Sequence, residues 1–396
     1  MTTPGLRRIF KAFVMNPAGE DRINRYNPGY LVTSGERVER LSAVDPRLEF
    51  PDAEFVDLEG KTIVPGFVDC HVHLPQYAIM GKGGGELLTW LATTTYPEEA
   101  RFSDAAYAAR IADMFFNEMI ANGTTAAAIF SSVHEEATDI AFRTAKAKGI
   151  RAYIGKVMMD RYSPAALQET TEKSIAASVR LFEKWDGAED GRLRYIFTPR
   201  FAGSCSGELM SRTGWLARER HAFVQSHLSE NKDEVEMIRK LFPDSPSYTG
   251  VYEFAGLLHE RSIMAHCIHL SDDEVGLLVA SGTRAVFCPS SNRNLRSGPM
   301  PYHRLRRAGL HIALGTDIAG GPSLSMLKQM DEAMATAGLS RDEALYLATL
   351  AGAKALRLED RIGSLDAGKD ADFVVLEKDA VADVYVRGSR VYFMRP

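Results

Sequence analysis

The 396-residue sequence has few cysteines and no long apolar segment. Its cysteines are Cys70, Cys205, Cys267 and Cys288. They are far apart and form no CxxC pair, so they indicate neither a zinc knuckle nor a secreted disulfide framework. No apolar run approaches the ~20 residues that span a bilayer, and the N-terminus is too polar for a signal peptide after Arg7 and Arg8. We therefore expect a cytoplasmic protein without membrane contact.

The sequence also lacks an excess of basic residues. Lys and Arg total 47 against 52 Asp and Glu, which gives a net charge of -5. A dedicated binder of nucleic acid or of an anionic membrane needs a basic field, so we expect neither partner. The 45% hydrophobic and 25% charged residues are typical of soluble globular proteins and exclude disorder. A small neutral ligand fits this composition better.

From residue 63 onward, short apolar segments alternate with longer helical patterns, which indicates a parallel sheet with crossover helices. The eight predicted strands are Ile63–Cys70, Thr124–Phe130, Ile150–Met159, Leu193–Arg200, Ala222–His227, Ser262–Cys267, Arg284–Cys288 and His311–Gly315. The predicted helices are Ser103–Ala121, Glu135–Ala147, Ala165–Lys184, Glu208–Arg220, Glu234–Leu241 and Asp272–Val279. Eight such units predict an α/β fold of the (β/α)8 TIM-barrel type over residues 63–355.

The flanking segments contain short strands without intervening helices. These strands are Arg7–Phe13, Gly29–Thr33, Arg37–Ser42, Phe55–Leu58, Asp372–Leu376, Asp383–Val386 and Arg390–Phe393. Because chain ends often meet on a domain surface, we expect residues 1–62 and 356–396 to join into one small domain. The predicted architecture is a barrel with a small β-sandwich formed from both termini.

Polar side chains at the predicted strand ends suggest chemistry, because the active sites of such barrels lie at the C-terminal ends of the strands. His71 and His73 end strand 1 and share one face of it. His227, His266 and Asp317 end strands 5, 6 and 8. Any one of them could be a hydrogen-bonded core residue. Five at one rim predict a metal site.

Imidazoles with one carboxylate suit zinc or iron rather than Mg²⁺ or Ca²⁺. Strand 4 has no lysine that could be carboxylated to bridge two metals, so we expect one zinc ion per chain, with iron as the alternative. Such an ion supplies a hydroxide nucleophile at neutral pH. Asp317 could accept the water proton, and Glu230 could carry a proton to the leaving group. Alternatively, Glu230 is an acid at the start of a helix beginning near Asn231.

Longer motifs resemble the amidohydrolase superfamily and, more closely, the guanine deaminase family. They are Val64–Tyr77, Leu87–Leu91, Tyr96–Phe102, Thr198–Ala202, Ser226–Asn231, Cys288–Asn292, Gly315–Ser323 and Gly363–Asp372. The metal motifs specify only the superfamily. His73–Tyr77 and Pro199–Phe201 favour guanine deaminase.

The resemblance implies roles for individual residues. The implied metal contacts are His71, His73, His227 and Asp317, with His266 either a ligand or a partner of the metal-bound water, and the implied proton carrier is Glu230. The implied purine contacts are Gln76, Arg200 and Phe201, with Trp90 as a further candidate and His227 beside the substrate. Alternatively, Arg200 forms a rim salt bridge, and Trp90 and Phe201 are core residues.

The predicted reaction is hydrolytic deamination of guanine to xanthine and ammonia, catalysed by a homodimer. The alternative is a deaminase or hydrolase of another nitrogen heterocycle, such as 8-oxoguanine, a pterin or a triazine. Three features depart from the family pattern: Phe287 in place of histidine, Gly203 after Pro-Arg-Phe, and the glycines of Gly83–Gly85. We expect the pocket to differ at these positions.

Overall fold

The computed structural model describes residues 6–20 and 22–394. Residues 1–5, 21, 395 and 396, which belong to the predicted small domain, lie outside the described residues. The strands are β1 (Arg7–Gly19), β2 (Arg22–Ser34), β3 (Arg37–Ser42), β4 (Glu54–Pro65), β5 (Phe67–His73), β6 (Thr124–Phe130), β7 (Arg151–Gly155), β8 (Val157–Met158), β9 (Leu193–Pro199), β10 (Phe223–Leu228), β11 (Ser262–His266), β12 (Arg284–Phe287), β13 (Ile312–Leu314), β14 (Phe373–Glu377), β15 (Ala380–Val386) and β16 (Ser389–Phe393).

The barrel is formed by parallel strands in the order β5-β6-β7-β9-β10-β11-β12-β13, with β8 paired to β9. Its seam lies between the first and last strands. There the Asp317 N–H donates to the carbonyl of His71 at 2.8 Å, and the N–H and hydroxyl of Thr316 donate to Asp69 at 3.0 and 2.5 Å. The predicted (β/α)8 fold is confirmed. Closure of the barrel brings the end of β5, which carries His71 and His73, next to Asp317.

The helices are α1 (Leu87–Trp90), α2 (Tyr96–Ala100), α3 (Ala105–Ala121), α4 (Glu135–Lys148), α5 (Thr171–Trp185), α6 (Ala188–Gly191), α7 (Gly207–Glu219), α8 (Lys232–Leu241), α9 (Tyr248–Phe254), α10 (Asp272–Ser281), α11 (Pro289–Asn294), α12 (Tyr302–Arg307), α13 (Met326–Ala337), α14 (Arg341–Tyr346) and α15 (Gly352–Ala355). Short 3₁₀ turns cover Leu74–Ile79 and Arg101–Ser103, and π-helical turns cover Leu91–Thr95 and Leu347–Ala351.

Side-chain caps set the helix starts. Asp104 accepts hydrogen bonds from the first turn of α3, and Ser206 does the same for α7. The prediction that a helix begins at Ala165 was wrong, since α5 begins at Thr171 behind the capping side chain of Thr170. The preceding loop is drawn toward the barrel because Glu169 pairs with the fully buried Lys156.

The small domain is one seven-stranded sheet in the order β16-β15-β14-β4-β1-β2-β3, so strands from both chain ends hydrogen-bond to each other. Strands from both chain ends contribute to one hydrophobic core. In it the ring of Phe10 lies 5.1 Å from that of Phe373 and 5.2 Å from that of Tyr385. Residues Ile63–Pro65 pair with β14, so the barrel's first strand begins at Phe67 rather than at Ile63.

All four cysteines are buried free thiols. Among the described residues, no helix combines the length and the apolar character that a membrane crossing requires.

Candidate active site

The structure brings the predicted metal ligands together at the C-terminal end of the barrel. The Nε2 atoms of His73 and His227 lie 3.2 Å apart. Oδ1 of Asp317 lies 3.2 Å from Nε2 of His71 and 3.4 Å from Nε2 of His73. His266 approaches from β11, with its Nε2 atom 3.9 Å from Oδ2 of Asp317. Backbone geometry places these atoms, because the four histidines lie in the last three residues of β5, β10 and β11, and Asp317 follows β13 by three residues.

This cluster fits a divalent metal ion. Ligand atoms about 2.0–2.1 Å from a tetrahedral zinc lie about 3.4 Å from one another, close to the spacings found here. The Nε2 atoms of His71 and His266 are buried without a hydrogen-bond partner among the described residues, which is costly unless a further group satisfies them. His227 Nδ1 faces the carbonyl of Arg200 at 2.7 Å, and His266 Nδ1 faces Oδ1 of Asn292 at 3.0 Å. These contacts orient both rings and leave Nε2 for the metal.

The electrostatics favour neutral imidazoles and one ionised carboxylate. Burial and the neighbouring imidazoles hold the pKa values of His73 and His227 well below the usual range. Burial opposes ionisation of Asp317, but its interactions with His71, His266 and His73, including a hydrogen bond to His71, hold its pKa well below normal. Neutral histidines and a carboxylate are the protonation states in which these side chains bind metals.

Glu230 lies beside this cluster, and its pKa is shifted in the opposite direction from that of Asp317. Burial and the charge of Asp317 raise its pKa well above the usual range. The hydroxyl of Ser297 donates to Oε1 of Glu230 at 3.2 Å, and Oε2 lies 3.4 Å from Nε2 of His266. The helix start belongs to other residues, since Asn231 and Glu234 form the capping box of α8. Glu230 directly precedes this N-cap, but its carboxyl group contacts Ser297 rather than the first turn of α8, so these contacts favour the proton carrier over the helix-start acid.

A cavity opens above the imidazoles and contains every side chain that we expected to contact the substrate. Its lining includes Gln76, Trp90, Arg200, Phe201, His227, Glu230 and Asp317. His71 and His266 are not part of this lining. The arrangement places polar and aromatic side chains and two carboxyl groups with oppositely shifted pKa values around one space.

Glu99 is a site residue that the sequence analysis missed. Its carboxylate accepts hydrogen bonds from Nε2 of Gln76 at 3.0 Å and from Nη1 of Arg200 at 2.9 and 2.6 Å. The expected alternative of a salt bridge at Arg200 is therefore present, although this pair is buried inside the cavity wall. Glu99 and Arg200 are separated by 101 positions, and no local pattern links them. Asn292, which lies in the Cys288–Asn292 motif, was missed as well.

Two of the three departures from the family pattern, Gly203 and the glycine loop, have structural explanations. A Cβ at Gly203 would lie 2.3 Å from Cε2 of Phe201, so glycine leaves space for that ring. A Cβ at Gly83 would lie 2.4 Å from the carbonyl oxygen of Ala319. Glycine thus lets the loop approach the strand end that carries Asp317. Phe287 is buried 6.2 Å from the ring of Tyr302, outside the lining of the active-site cavity.

Comparison with known proteins identifies the family. The sequence profile of the amidohydrolase family matches residues 62–391. A guanine deaminase of Escherichia coli K12 is 41% identical over 339 residues, which cover 84% of this chain and 77% of that relative. The chain belongs to the guanine deaminase family of amidohydrolases.

Further comparisons agree with this assignment. A guanine deaminase of Dictyostelium discoideum is 39% identical over 334 residues, which cover 81% of this chain and 74% of that relative. The crystal structure of the guanine deaminase from C. acetobutylicum, with guanine bound in its active site, superposes with a TM-score of 0.92 at 32% identity. That superposition covers 98% of this chain and 100% of the other. The barrel and the terminal sheet are therefore those of the guanine deaminase family.

Proposed function

We propose that this protein is a metal-dependent aminohydrolase that converts guanine to xanthine and ammonia. The observation that carries the proposal is the cavity in which Gln76 and Arg200 face the same space as Glu230 and Asp317. Membership of the guanine deaminase family and the guanine-bound relative support the same substrate.

The metal would be held by His71, His73, His227 and Asp317, with His266 as a further ligand or hydrogen-bonding partner of the water. Their nitrogen-rich donor set suits one zinc ion, with iron as the alternative. When bound, such an ion lowers the pKa of a coordinated water to about 7 and so supplies a nucleophile at neutral pH.

The two carboxyl groups divide the proton transfers. Asp317 is ionised and can accept a proton at Oδ2, the oxygen that faces His266. The raised pKa of Glu230 favours its protonated form, which can donate from its carboxyl group to the amine leaving C2 of guanine. Two neighbouring carboxyl groups whose environments push their pKa values apart are typical of an acid and base pair. His266, 3.4 Å from Oε2 of Glu230, orients the donor.

The ring is recognised by polar groups at its edge and aromatic groups at its faces. Nε and Nη2 of Arg200 are not used by Glu99 and can donate to the guanine carbonyl, while Gln76 offers its second amide hydrogen. Phe201 and Trp90 supply the apolar walls. Adenine presents an amine at C6, where guanine has a carbonyl. Its amine hydrogens would therefore face the N–H donors of Arg200.

We also propose that the enzyme is a cytoplasmic homodimer. The free buried thiols are consistent with a reducing compartment. Sedimentation of the purified protein would measure its oligomeric state, and a monomer would contradict this part of the proposal.

The experiment that tests the function is an ammonia-release assay on the metal-loaded protein with guanine, adenine, 8-oxoguanine, a pterin and a triazine. We expect guanine to give the highest kcat/KM. A higher kcat/KM for another of these rings would assign the site to that heterocycle. No ammonia from any of them would contradict the deaminase assignment.

A further inference from the structure

A buried carboxylate stands behind the two polar side chains that face the substrate ring. Glu99, Gln76 and Arg200 are each at least 98% buried, with relative exposures of 1%, 2% and 2%. Glu99 lies in α2, Gln76 in the turn after β5, and Arg200 directly after β9, so the carboxylate connects three separate elements. None of the direct substrate contacts assigned above involves Glu99.

Both amide atoms of Gln76 are fixed by the protein. Its Nε2 atom donates to Glu99 at 3.0 Å, and its Oε1 atom accepts from the N–H of Ala319 at 3.0 Å. The amide therefore has one orientation, in which the second hydrogen on Nε2 remains for a ligand. Without the carboxylate, only the N–H of Ala319 would oppose a turn of the amide that presents its oxygen to the ring.

Arg200 is held by the same group. Its Nη1 atom donates to both oxygens of Glu99, and its guanidinium carbon lies 5.3 Å from the centre of the Tyr96 ring. The ion pair is buried, so the negative charge of Glu99 offsets the positive charge of Arg200 with little screening by water. The Arg200 guanidinium can then donate hydrogen bonds to a ligand, while the Glu99–Arg200 pair as a whole carries no net charge.

We propose that Glu99 is a positioning and specificity-determining residue, which orients Gln76 and Arg200 and makes the pocket select a neutral purine over an anionic one. This inference rests on the proposed function. It also gives the site a means of releasing its product. Xanthine has a second carbonyl in place of the amine and ionises more readily than guanine, so a neutral pair does not retain the xanthine anion.

The decisive variant is Glu99→Gln. Its carboxamide keeps the shape of the carboxylate, but in either orientation the amino group faces an Nη1 donor of Arg200, and the negative charge is lost. We expect the KM for guanine to rise about 10- to 100-fold, the range associated with a buried hydrogen bond to a charged group, with a smaller change in kcat. Arg200 then carries an uncompensated positive charge. Calorimetric titration at mildly alkaline pH should show tighter binding of xanthine relative to hypoxanthine, a ring that ionises less readily.

Two further variants separate geometry from charge and from general damage. Glu99→Asp keeps the charge but is one methylene shorter, so it should raise the guanine KM without changing the xanthine-to-hypoxanthine ratio of Kd values. Glu98→Gln is the matched control, because the adjacent Glu98 is also buried but binds Tyr107 and Arg101 outside the cavity. It should leave both the KM and the ratio unchanged.

The test is decisive because Glu99→Gln should weaken guanine binding but strengthen xanthine binding relative to hypoxanthine. Equal weakening of xanthine and hypoxanthine in Glu99→Gln, or an unchanged guanine KM, would overturn the proposal. If Glu99→Gln does not fold, an unchanged guanine KM in Glu99→Asp overturns it, and a raised KM supports it. Failure of the unmodified enzyme to deaminate guanine would instead refute the proposed function, and the two Kd values would still report on Glu99.

Discussion

Replacing Gly203 with alanine tests whether the Phe201 ring contacts the substrate. An added Cβ would lie 2.3 Å from Cε2 and 2.7 Å from Cζ of Phe201, and 3.2 Å from Cε of Met237. Favourable carbon–carbon contacts lie at about 3.5–4.0 Å, so the ring edge must move by roughly 1 Å. Methionine is flexible and can adjust, but the ring forms a wall of the cavity.

The magnitude follows from this displacement. A misplacement of about 1 Å in an active site can lower the rate about 10²-fold, and overpacking typically costs ~1–3 kcal/mol of folding free energy. We therefore expect kcat/KM for guanine to fall about 10- to 100-fold in Gly203→Ala, together with a loss of about 1–3 kcal/mol of unfolding free energy. Steady-state kinetics and urea denaturation measure the two effects.

Two variants control this prediction. Gly207→Ala adds the same methyl group at a position with nothing within 4 Å, and it should behave like the unmodified enzyme. Adding Gly203→Ala to Phe201→Leu should cost little more than Phe201→Leu alone, because leucine lacks the ring atoms that meet the new methyl group. A parent-like kcat/KM in Gly203→Ala would show that the ring does not position the substrate.

The remaining predictions concern the metal, the proton carrier, the ring and the fold. Elemental analysis should find about one metal ion per chain, and His227→Ala should lose metal and activity together; two tightly bound ions would refute the mononuclear site. Glu230→Gln should retain metal but lose at least ~10²-fold in kcat, and normal turnover would remove Glu230 from the mechanism. Arg200→Ala should reduce the preference for guanine over adenine in kcat/KM by ~10-fold or more, whereas unchanged selectivity would mean that other residues recognise the ring. Burial raises the pKa of Asp372 from 3.8 to about 6, so its contribution to stability is present below about pH 4 and is lost as pH rises through about 6, by on the order of 3 kcal/mol. Asp372→Asn should remove this part of the pH dependence in urea denaturation, and an unchanged dependence would refute the assignment.

The features that the sequence predicted well are those with a local signal. Each barrel strand is a short apolar run, and strands such as Thr124–Phe130 were predicted with their observed bounds. The side chains that we propose as metal ligands could be grouped from the sequence because a strand end places its side chains at a known rim of the barrel. His71 and His73 needed only the alternation of side chains along β5 to be assigned to one face.

The missed features depend on contacts between distant segments. Glu99 meets Arg200 only after α2 and β9 have packed together. The adjacent acids Glu98 and Glu99 look alike in sequence, although Glu99 is the one that contacts the cavity-lining residues Gln76 and Arg200. The boundary at Pro65 was missed because the apolar end of β4, Ile63–Pro65, continues directly into β5, and pairing with β14 decides where β4 ends. The late start of α5 likewise depends on a buried partner, Lys156.

The pairing of β4 with β14 affects how the chain folds during synthesis. Pro65 lies opposite Phe373, so the ribosome must make the entire barrel between the two partners before the terminal sheet can be completed. Until then β4 exposes an unpaired edge, and Phe10 lacks the aromatic partners Phe373 and Tyr385. Exposed edges and apolar surface promote aggregation of nascent chains. A nascent chain that stalls before Phe373 would therefore be prone to aggregation, even if the barrel and its proposed metal ligands had already formed.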